Sequence, residues 1–289
     1  MTTYSRKQFL QQLGTASIAT ASLGLIGTAC DSAVKASDAD RPNPSDTHTL
    51  TIGMASYSLR KFSLEEAISM TKRVGLEHIC LKSMHLPLES RESDIQAAAK
   101  KVRDAGLDLY GAGVVYMKSE EAVHQAFAYA KAAGMRVIVG VPTHDLLPLV
   151  EQKVKESGIL LAIHNHGPGD DLYSSPDDVW EKVENLDSRV GFCIDIGHVV
   201  RIQQDPVEKI RKYADRLYDI HFKDVDVAEA KGSSQEMGRG IIDIPAVVRA
   251  LKEIKYQGIV ALEFEKDGDD PLAGIAESVG FARGVMRVV

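Results

Sequence analysis

One pattern recurs along the chain and restricts the folds open to it: a helix-like stretch ends at a glycine, and a short apolar run follows at once. The glycines in this position are Gly75, Gly106, Gly134, Gly158 and Gly258. Glycine tolerates the left-handed backbone conformation that ends many helices. A short apolar run without sustained alternation is typical of a parallel strand buried on both faces. The repeat therefore predicts helices that alternate with parallel strands.

Eight strands are predicted from these runs, with helices between them. Eight alternating units in about 240 residues leave little room for a second domain, so we predict a single (β/α)8 TIM barrel of the α/β class. A doubly wound open sheet is the alternative, but it would normally carry a glycine-rich phosphate loop after its first strand. Ser56–Arg60 contains no glycine. The predicted strands lie near Leu50–Ala55, Glu77–Lys82, Leu107–Ala112, Arg136–Val141, Ile159–His164, Val190–Asp195, Leu217–Phe222 and Ile259–Phe264.

Two of the predicted helices begin with a capping-box pattern, in which a serine and a Glu or Gln three residues later satisfy each other's free backbone donors. Ser63 with Glu66 is one such pair, and Ser93 with Gln96 is the other. We expect a helix to start at each of these serines.

The first 30 residues are typical of an export signal rather than of a folded domain. Arg6 and Lys7 supply a short positive segment, and Leu13–Ala29 carries no charge and is mainly small or apolar. That stretch is too short and too weakly apolar for a membrane-spanning helix. We expect residues 1–30 to be an export or lipoprotein signal that ends at Cys30.

Two short motifs in this segment bear on export and lipidation. Ser5–Leu10 resembles a twin-arginine motif, with Lys7 where a second arginine is usual. Gly27–Cys30 resembles a lipobox, although a leucine is usual at its first position. We expect an exported protein, periplasmic or at the outer surface, that is anchored by a lipid on Cys30. A soluble secreted protein cut nearby is the alternative.

Composition separates a linker from the domain and excludes one class of partner. Residues 31–48 are rich in Asp, Ser, Ala and Pro and are expected to form a flexible linker, so that residues 49–289 form the barrel. The chain has a formal net charge of −7, whereas a nucleic-acid surface would be basic. We therefore expect no nucleic-acid partner, and contact with a membrane only through the lipid anchor.

Cys80 and Cys193 are the two cysteines beyond the signal. Each lies two residues before a polar strand-end residue, so both should point into the barrel, from the second and the sixth strand. Those strands lie on opposite walls, farther apart than the Cα separation of about 7 Å that a disulfide permits. We expect two buried free thiols.

Four predicted strands in the second half of the chain end in side chains suited to metal binding or proton transfer. The fifth strand leads to His164 and His166, the sixth to Asp195, the seventh to His221 and the eighth to Glu263. In a (β/α)8 barrel the carboxyl ends of the strands converge on one pocket. Two carboxylates and two imidazoles converging there would hold one divalent cation. We interpret the chain as a metalloenzyme on this basis.

Each of these residues alone is weak evidence for a site. A single strand-end histidine is more often a hydrogen-bonded structural residue, and a single aspartate after a strand more often caps the next helix. Their occurrence together, on four strands that are neighbours in a barrel, is what predicts the metal site.

Four motifs carry a resemblance to a known family. They are IHNHG on the fifth strand, CIDIGH on the sixth, IHFKD on the seventh and GRGIIDIPAVVRALKEIKYQGIVALEFE leading into the eighth. The chain resembles, over residues 50–285, the xylose isomerase-like barrels, also called sugar phosphate isomerases/epimerases. The resemblance implies a divalent cation (Mn²⁺, Mg²⁺, Co²⁺ or Zn²⁺) held by a Glu, an Asp, a His and a second Glu. It assigns Asp195, His221 and Glu263 to three of those places, and His164 falls where the family has its first Glu.

His164 is the main departure from the family pattern. Many family epimerases use their two glutamates as a pair of acid–base groups on opposite sides of the sugar carbon. A neutral imidazole in place of one carboxylate makes the site less negative and the ion a stronger Lewis acid. His164 serves as a base only if it does not bind the metal. The change weakens the symmetrical epimerase interpretation and favours a lyase or dehydratase, and the His-Asn-His arrangement also resembles inosose dehydratases and exported barrels that cleave 3-keto-glycosides.

Further polar side chains near the strand ends are assigned by position. We expect acid–base roles for Glu263, His164, Lys82 and His166, because Lys82 occupies an inward position after the second strand and His166 lies just beyond a proposed ligand. Support of the metal is the alternative for His166 and for His198. For Lys223 we consider an oxyanion contact or a salt bridge with Asp224 or Glu265. The predicted substrate-binding residues are His85, His198, Arg201, Lys223 and Arg239.

The predicted function is proton abstraction next to a carbonyl on a carbohydrate or polyol, by a metal-dependent enzyme similar to sugar isomerases and epimerases. A lyase or dehydratase that eliminates a β-oxygen, for example from a 3-keto-glycoside, is the first alternative. A non-catalytic sugar-binding lipoprotein is the second. The expected partner is a small carbohydrate. A zinc nuclease on the same barrel is disfavoured, because it would need more histidine ligands and a basic face, whereas this chain is acidic.

Overall fold

Eight parallel strands close into one barrel in the computed structural model, which describes residues 49–289. Each strand pairs with the next along the chain, and the last closes on the first, with Thr51 opposite Ile259. The predicted (β/α)8 barrel and all eight predicted strands are confirmed. The strands are β1 Thr51–Ala55, β2 His78–Leu81, β3 Asp108–Met117, β4 Val137–Pro142, β5 Leu160–His164, β6 Val190–Asp195, β7 Leu217–Phe222 and β8 Ile259–Leu262.

Helices follow the strands around the outside of the barrel, as parallel strands require. A two-stranded antiparallel hairpin, Asp224–Val225 with Ser234–Gln235, lies in the loop after β7. Short 3₁₀ turns occupy Ser56–Leu59, His144–Leu146 and Ala214–Arg216. The helices within residues 49–289 are α1 Leu64–Arg73, α2 Glu92–Asp104, α3 Glu120–Ala133, α4 Leu147–Ser157, α5 Pro176–Val183, α6 Ile196–Arg201, α7 Pro206–Lys212, α8 Ile244–Glu253 and α9 Leu272–Val288.

Five glycines suggested the repeat, and four of them end a helix in the left-handed conformation. Gly75, Gly106, Gly134 and Gly158 have φ between 65° and 83°. Gly258 does not, because the left-handed residue after α8 is Lys255, with φ of 53°.

One of the two predicted capping boxes is confirmed. The Glu66 amide donates to Ser63 Oγ (3.3 Å), and the Ser63 amide donates back to Glu66 Oε2 (2.8 Å). The second prediction is wrong, because α2 begins before Ser93, at Glu92. Gln96 instead donates its side-chain amide to the Glu92 carboxylate (3.0 Å).

Two buried layers hold the barrel together. A large apolar cluster fills the space between strands and helices. A smaller cluster of mainly small side chains fills the barrel interior and includes both Cys80 and Cys193, which are buried free thiols as expected. Its other members are Ala55, Tyr110, Val137, Val139, Ala162, Ile259 and Ala261. The packed interior leaves the carboxyl ends of the strands as the place where polar side chains gather.

The predictions for the N-terminal segment lie outside the described residues. They comprise the signal over residues 1–30, lipidation at Cys30 and the linker over residues 31–48. From residue 49 onward, no helix has both the length and the apolar character that crossing a bilayer requires.

Candidate active site

Four predicted ligands meet at the carboxyl end of the barrel. His164 ends β5, Asp195 ends β6, His221 lies near the end of β7, and Glu263 directly follows β8. One nitrogen or oxygen atom from each lies within 4.8 Å of those of the other three. All four side chains are buried. We call this group the donor cluster.

The atoms of the donor cluster face one point. His164 Nε2 lies 3.0 Å from His221 Nδ1 and 3.4 Å from Asp195 Oδ2. His221 Nδ1 lies 3.2 Å from Glu263 Oε2. Asp195 Oδ2 is buried and pairs with the Lys223 ammonium at 2.9 Å, so the charge on this oxygen is one that a cation balances. Two imidazole nitrogens and two carboxylate oxygens suit a divalent transition ion, so the residues fit the metal that the sequence predicted.

The charge states of three of the four cluster residues suit metal binding. At His221, burial opposes protonation, but Glu263 outweighs it and raises the pKa, so a metal ion would displace a proton there. Burial lowers the pKa of His164 well below its usual value, which keeps the ring in the neutral form that binds metals. Burial opposes ionisation of Asp195, but His198 and Lys223 outweigh it and hold the pKa of that carboxyl well below its usual range. Burial likewise opposes ionisation of Glu263, whose pKa is lowered by His221 and Lys223. Both acids are therefore carboxylates.

Lys223 lies inside the cluster rather than beside it. Its Nζ is 2.6 Å from Glu263 Oε2, 2.6 Å from Glu265 Oε1 and 2.9 Å from Asp195 Oδ2. The salt bridge that we considered with Glu265 is thus present. The one considered with Asp224 is not, because the Asp224 carboxylate accepts backbone amides of its own loop instead.

A second group of polar side chains flanks the cluster on the β2–β5 side. His166 Nε2 lies 2.9 Å from the hydroxyl of Tyr116, and the rings of His164 and His166 are 4.4 Å apart. The ammonium of Lys82 lies 5.5 Å from the centre of the Tyr116 ring and donates to the Val114 carbonyl. Burial lowers the pKa of Lys82, although Glu263 opposes the shift. These contacts bring the predicted acid–base residues Lys82 and His166 to the same side.

Tyr116 was not predicted from the sequence. It lies near the end of β3, which runs five residues beyond its predicted end at Ala112. The apolar run continues through Val114 and Val115, and that continuation was the available signal.

His198 and Arg201 border the cluster on the β6–β7 side. The His198 amide donates to Asp195 Oδ1 (2.9 Å), and Arg201 Nη1 lies 3.1 Å from His198 Nδ1. A guanidinium only donates hydrogen bonds, so Nδ1 accepts and the ring proton is on Nε2, 3.7 Å from Asp195 Oδ2. A cavity of about 280 Å³ opens here, close to the lower end of the range for small-molecule sites. Its lining includes His198, Arg201, Lys223, Ser233, Ser234 and Glu265.

Two predicted substrate-binding residues are engaged elsewhere in the protein. The ring nitrogens of His85 contact Ser56 Oγ (3.0 Å) and the Leu59 carbonyl (3.1 Å), so neither is free for a sugar hydroxyl. Arg239 forms a two-point ion pair with Glu277 on α9 (2.6 and 2.7 Å). Neither residue lines the cavity beside the cluster. The structure thus does not bring either residue to this cavity, and their role in substrate binding stays a prediction.

Two further residues of the site were not predicted from the sequence. Asn165, buried between β5 and β6, accepts the Asp195 amide at Oδ1 (3.0 Å) and donates to the Asp195 carbonyl through Nδ2 (3.3 Å). Cys193 forms, with His164 and His221, a second group whose ligand atoms all lie within 4.8 Å of one another. The inward parity of Cys193 was visible in the sequence, but its distance from the histidines was not.

The fold and the donor cluster together define a (β/α)8 barrel with a candidate metal centre at its carboxyl end. Residues 59–285 match the family described as xylose isomerase-like TIM barrel, and the chain belongs to that family. Members of the family typically bind a divalent metal, and this chain has a cluster that could hold one.

Several of the similar proteins are named as epimerases or dehydratases. Inosose dehydratase of Lacticaseibacillus casei is 28% identical over 131 residues, which cover 40% of this chain and 43% of that protein. The chain thus aligns with less than half the length of this curated relative. The structure of L-ribulose 3-epimerase has a TM-score of 0.68 at 18% identity, covering 82% of this chain and 95% of that one. The structure of 3-keto-D-glucoside 4-epimerase from E. coli also has a TM-score of 0.68, at 17% identity, and the match covers 81% of this chain and 99% of that one. At these identities the two structures support the fold alone.

Proposed function

We propose that this chain is a divalent-metal-dependent enzyme that moves a proton next to a carbonyl on a carbohydrate or polyol. The observation that carries the proposal is the convergence of His164, Asp195, His221 and Glu263 within 4.8 Å, beside a cavity open to a small ligand. The names of similar proteins, an L-ribulose epimerase and a 3-keto-glucoside epimerase among them, support a sugar-like substrate.

The four cluster residues would hold the ion, which when bound would polarise the carbonyl and stabilise an enediolate. The remaining tasks belong to the chain's own side chains. His198 Nε2–H and Arg201 would donate to substrate hydroxyls from one side of the cavity. Glu263, at the end of β8, combines the predicted ligand and acid–base roles.

On the β2–β5 side of the donor cluster, Lys82 and His166 would carry out proton transfer. Burial lowers the pKa of the Lys82 amine, so more of it is an uncharged base near neutral pH than for an ordinary lysine. His164 is less suited to that task, because its Nε2 points at His221 and Asp195 and its side chain is only 3% exposed. We assign His164 as a ligand.

Isomerisation or epimerisation is the first candidate reaction, and elimination is the second. The observation that favours elimination is the Tyr116–His166 pair, with 2.9 Å between hydroxyl and Nε2. This pair would supply a proton to a departing oxygen from the side that Lys82 shares. Epimerisation would instead need Glu263 to remove the proton from one face of the carbon and the groups on the Lys82 side to return a proton to the opposite face.

Exchange of the carbon-bound proton tests the proposal. Mn²⁺-loaded protein is incubated with a panel of keto-sugars in heavy water, and deuterium next to the carbonyl is measured by NMR. His221→Gln should lose both bound Mn²⁺ and exchange, whereas His124→Gln, on the exposed face of α3, should keep both. Wild-type protein that binds less than about half an equivalent of metal and never exchanges that proton would support the sugar-binding alternative instead.

We also propose that the protein is exported and lipid-anchored, on the pattern of residues 1–30. Palmitate labelling of cells that express the full chain tests this proposal. Cys30→Ser should abolish the label and release the protein from the membrane fraction. Labelling that persists in Cys30→Ser would contradict lipidation at this residue.

A further inference from the structure

The ammonium of Lys223 uses the same oxygen atoms as the donor cluster. Its Nζ lies 2.9 Å from Asp195 Oδ2 and 2.6 Å from Glu263 Oε2. These are the carboxylate oxygens that face His164 Nε2 and His221 Nδ1. The Lys223 side chain is only 4% exposed, so it is fixed among these groups rather than reaching them from solvent.

We propose that Lys223 is a built-in counter-cation of the metal site, which holds Asp195 and Glu263 in the metal-free protein and is displaced toward Glu265 when a divalent ion binds. The proposal rests on the metal-dependent function proposed above. It makes metal loading an exchange of one cation for another at two shared oxygens.

Electrostatics makes the exchange necessary. An ammonium and a dication that share two oxygen ligands would lie only a few ångströms apart, and their repulsion in a buried site is strong. Without a counter-cation, two buried carboxylates would repel each other and carry an unpaired charge. Either the Lys223 ammonium or the divalent ion can therefore balance the two carboxylates, but the two cations cannot occupy these positions together.

Glu265 supplies the place to which Lys223 would move. Its Oε1 already lies 2.6 Å from Nζ, it does not belong to the donor cluster, and its side chain is 37% exposed on the cavity side. Lys223 itself lines that cavity. The displaced ammonium would thus face the substrate in the metal-loaded protein.

Gly197 on α6 keeps room for the stem of Lys223. A Cβ at this position would lie 2.6 Å from Lys223 Cγ and 2.7 Å from Cδ. The absence of a side chain at residue 197 lets the lysine stem pass close to the helix and reach the cluster.

A salt bridge with a purely structural role predicts a different outcome from the counter-cation. Loss of a structural contact would loosen the cluster and weaken metal binding. Loss of a competitor would strengthen metal binding while it destabilises the metal-free protein. The sign of the change in metal affinity separates the two.

Lys223→Met tests the proposal, because methionine keeps much of the stem and removes the charge. We expect the melting temperature of the chelator-treated protein to fall and the affinity for Mn²⁺, measured by calorimetry, to rise at least about tenfold, the scale on which groups around metal ligands act. Lys209→Met is the matched control, because Lys209 is also a buried lysine, paired with Asp177 at 2.6 Å. It should lower stability and leave Mn²⁺ affinity unchanged.

Glu265→Gln gives a second test, which does not depend on the folding of Lys223→Met. Without its outer partner the ammonium should stay on Asp195 and Glu263, so Mn²⁺ affinity should fall several-fold. In the double variant with Lys223→Met this loss should disappear. Unchanged or reduced affinity in a folded Lys223→Met protein, or unchanged affinity in Glu265→Gln, would overturn the counter-cation. Wild-type protein that does not bind Mn²⁺ at all would overturn the proposed function with it, whereas wild-type turnover with unaltered variants would overturn this inference alone.

Discussion

Tyr116 links two parts of the site that are far apart in the sequence. Its hydroxyl contacts His166 Nε2 at 2.9 Å, its ring stacks on the His166 ring at 5.6 Å, and the Lys82 ammonium lies over the same ring. The side chain is 47% exposed, so these contacts do not serve to fill the core. Tyr116 orients the two residues that we assign to proton transfer.

Tyr116→Phe should slow exchange at the substrate carbon about tenfold or more, because His166 loses its hydrogen-bond partner. Thermal stability should change by less than about 0.5 kcal/mol, as for most exposed substitutions. The measurement is deuterium incorporation beside a denaturation curve. Tyr218→Phe is a matched control, because its hydroxyl donates to the Ser188 carbonyl instead. Equal rates for the two variants would exclude the role given to Tyr116.

The α5 and α7 helices are joined by one carboxylate. Asp177, in the first turn of α5, accepts from Lys209 (2.6 Å) and Lys212 (2.8 Å) on α7 and from the Tyr213 hydroxyl. Burial disfavours ionisation of this carboxyl, but its partners, led by Lys209, outweigh that effect and hold the pKa of Asp177 well below its usual range. The contact braces the helices that flank β6, whose last residue is Asp195.

Asp177→Asn should lower the free energy of unfolding by about 1–2 kcal/mol at pH 7, a figure reduced for partial exposure. A depressed acid pKa stabilises the fold above the unfolded value of about 4 and loses that contribution as the pH falls through the native pKa. The difference between variant and wild type should therefore shrink as the pH drops below about 5. Urea titrations over this range measure it, with the exposed Asp215→Asn as a control. A difference that stays constant to pH 3 would rule out the carboxylate as its source.

The strands and the donor cluster could be predicted from the sequence, whereas the start of one helix could not. Apolar runs, five of which follow a glycine, located all eight strands, because parallel barrel strands are buried on both faces. Parity and strand ends located the donor cluster, because a barrel brings its carboxyl ends together. The start of α2 was misplaced at Ser93, because Arg91 pairs with Asp94 (2.8 and 3.0 Å) and the helix begins earlier.

Contacts between distant loops could not be predicted from the sequence. Whether Lys223 would contact Asp195 depends on how far its stem passes over α6. The position of Tyr116 depends on the length of β3 beyond the barrel. Both are set by packing across several elements, which no local pattern encodes.

The sheet forms a closed barrel, in which β8 pairs with β1. The four residues of the donor cluster come from four consecutive strands of this barrel. An ion held by these four residues would join β5, β6, β7 and β8 at one end. Binding that occurs only in the folded barrel stabilises the whole domain by mass action.

Mn²⁺ at about 100 times its dissociation constant should stabilise the fold by about 2.7 kcal/mol. For a domain of this size that corresponds to a rise of about 5–10 °C in melting temperature. Scanning fluorimetry across a Mn²⁺ series measures the shift. His221→Gln should remove it, and His124→Gln should preserve it. An equal shift in both variants would place the ion elsewhere.

The paired contacts of Asn165 with the main chain at Asp195 have a mechanical consequence. They fasten the tips of β5 and β6 to each other just beyond the last ladder pair, His164 opposite Cys193. Any rearrangement of the loops above during a catalytic cycle would move the imidazole of His164 and the carboxylate of Asp195 as one rigid piece. Their spacing would thus survive motions that alter the distance from either of them to Glu263.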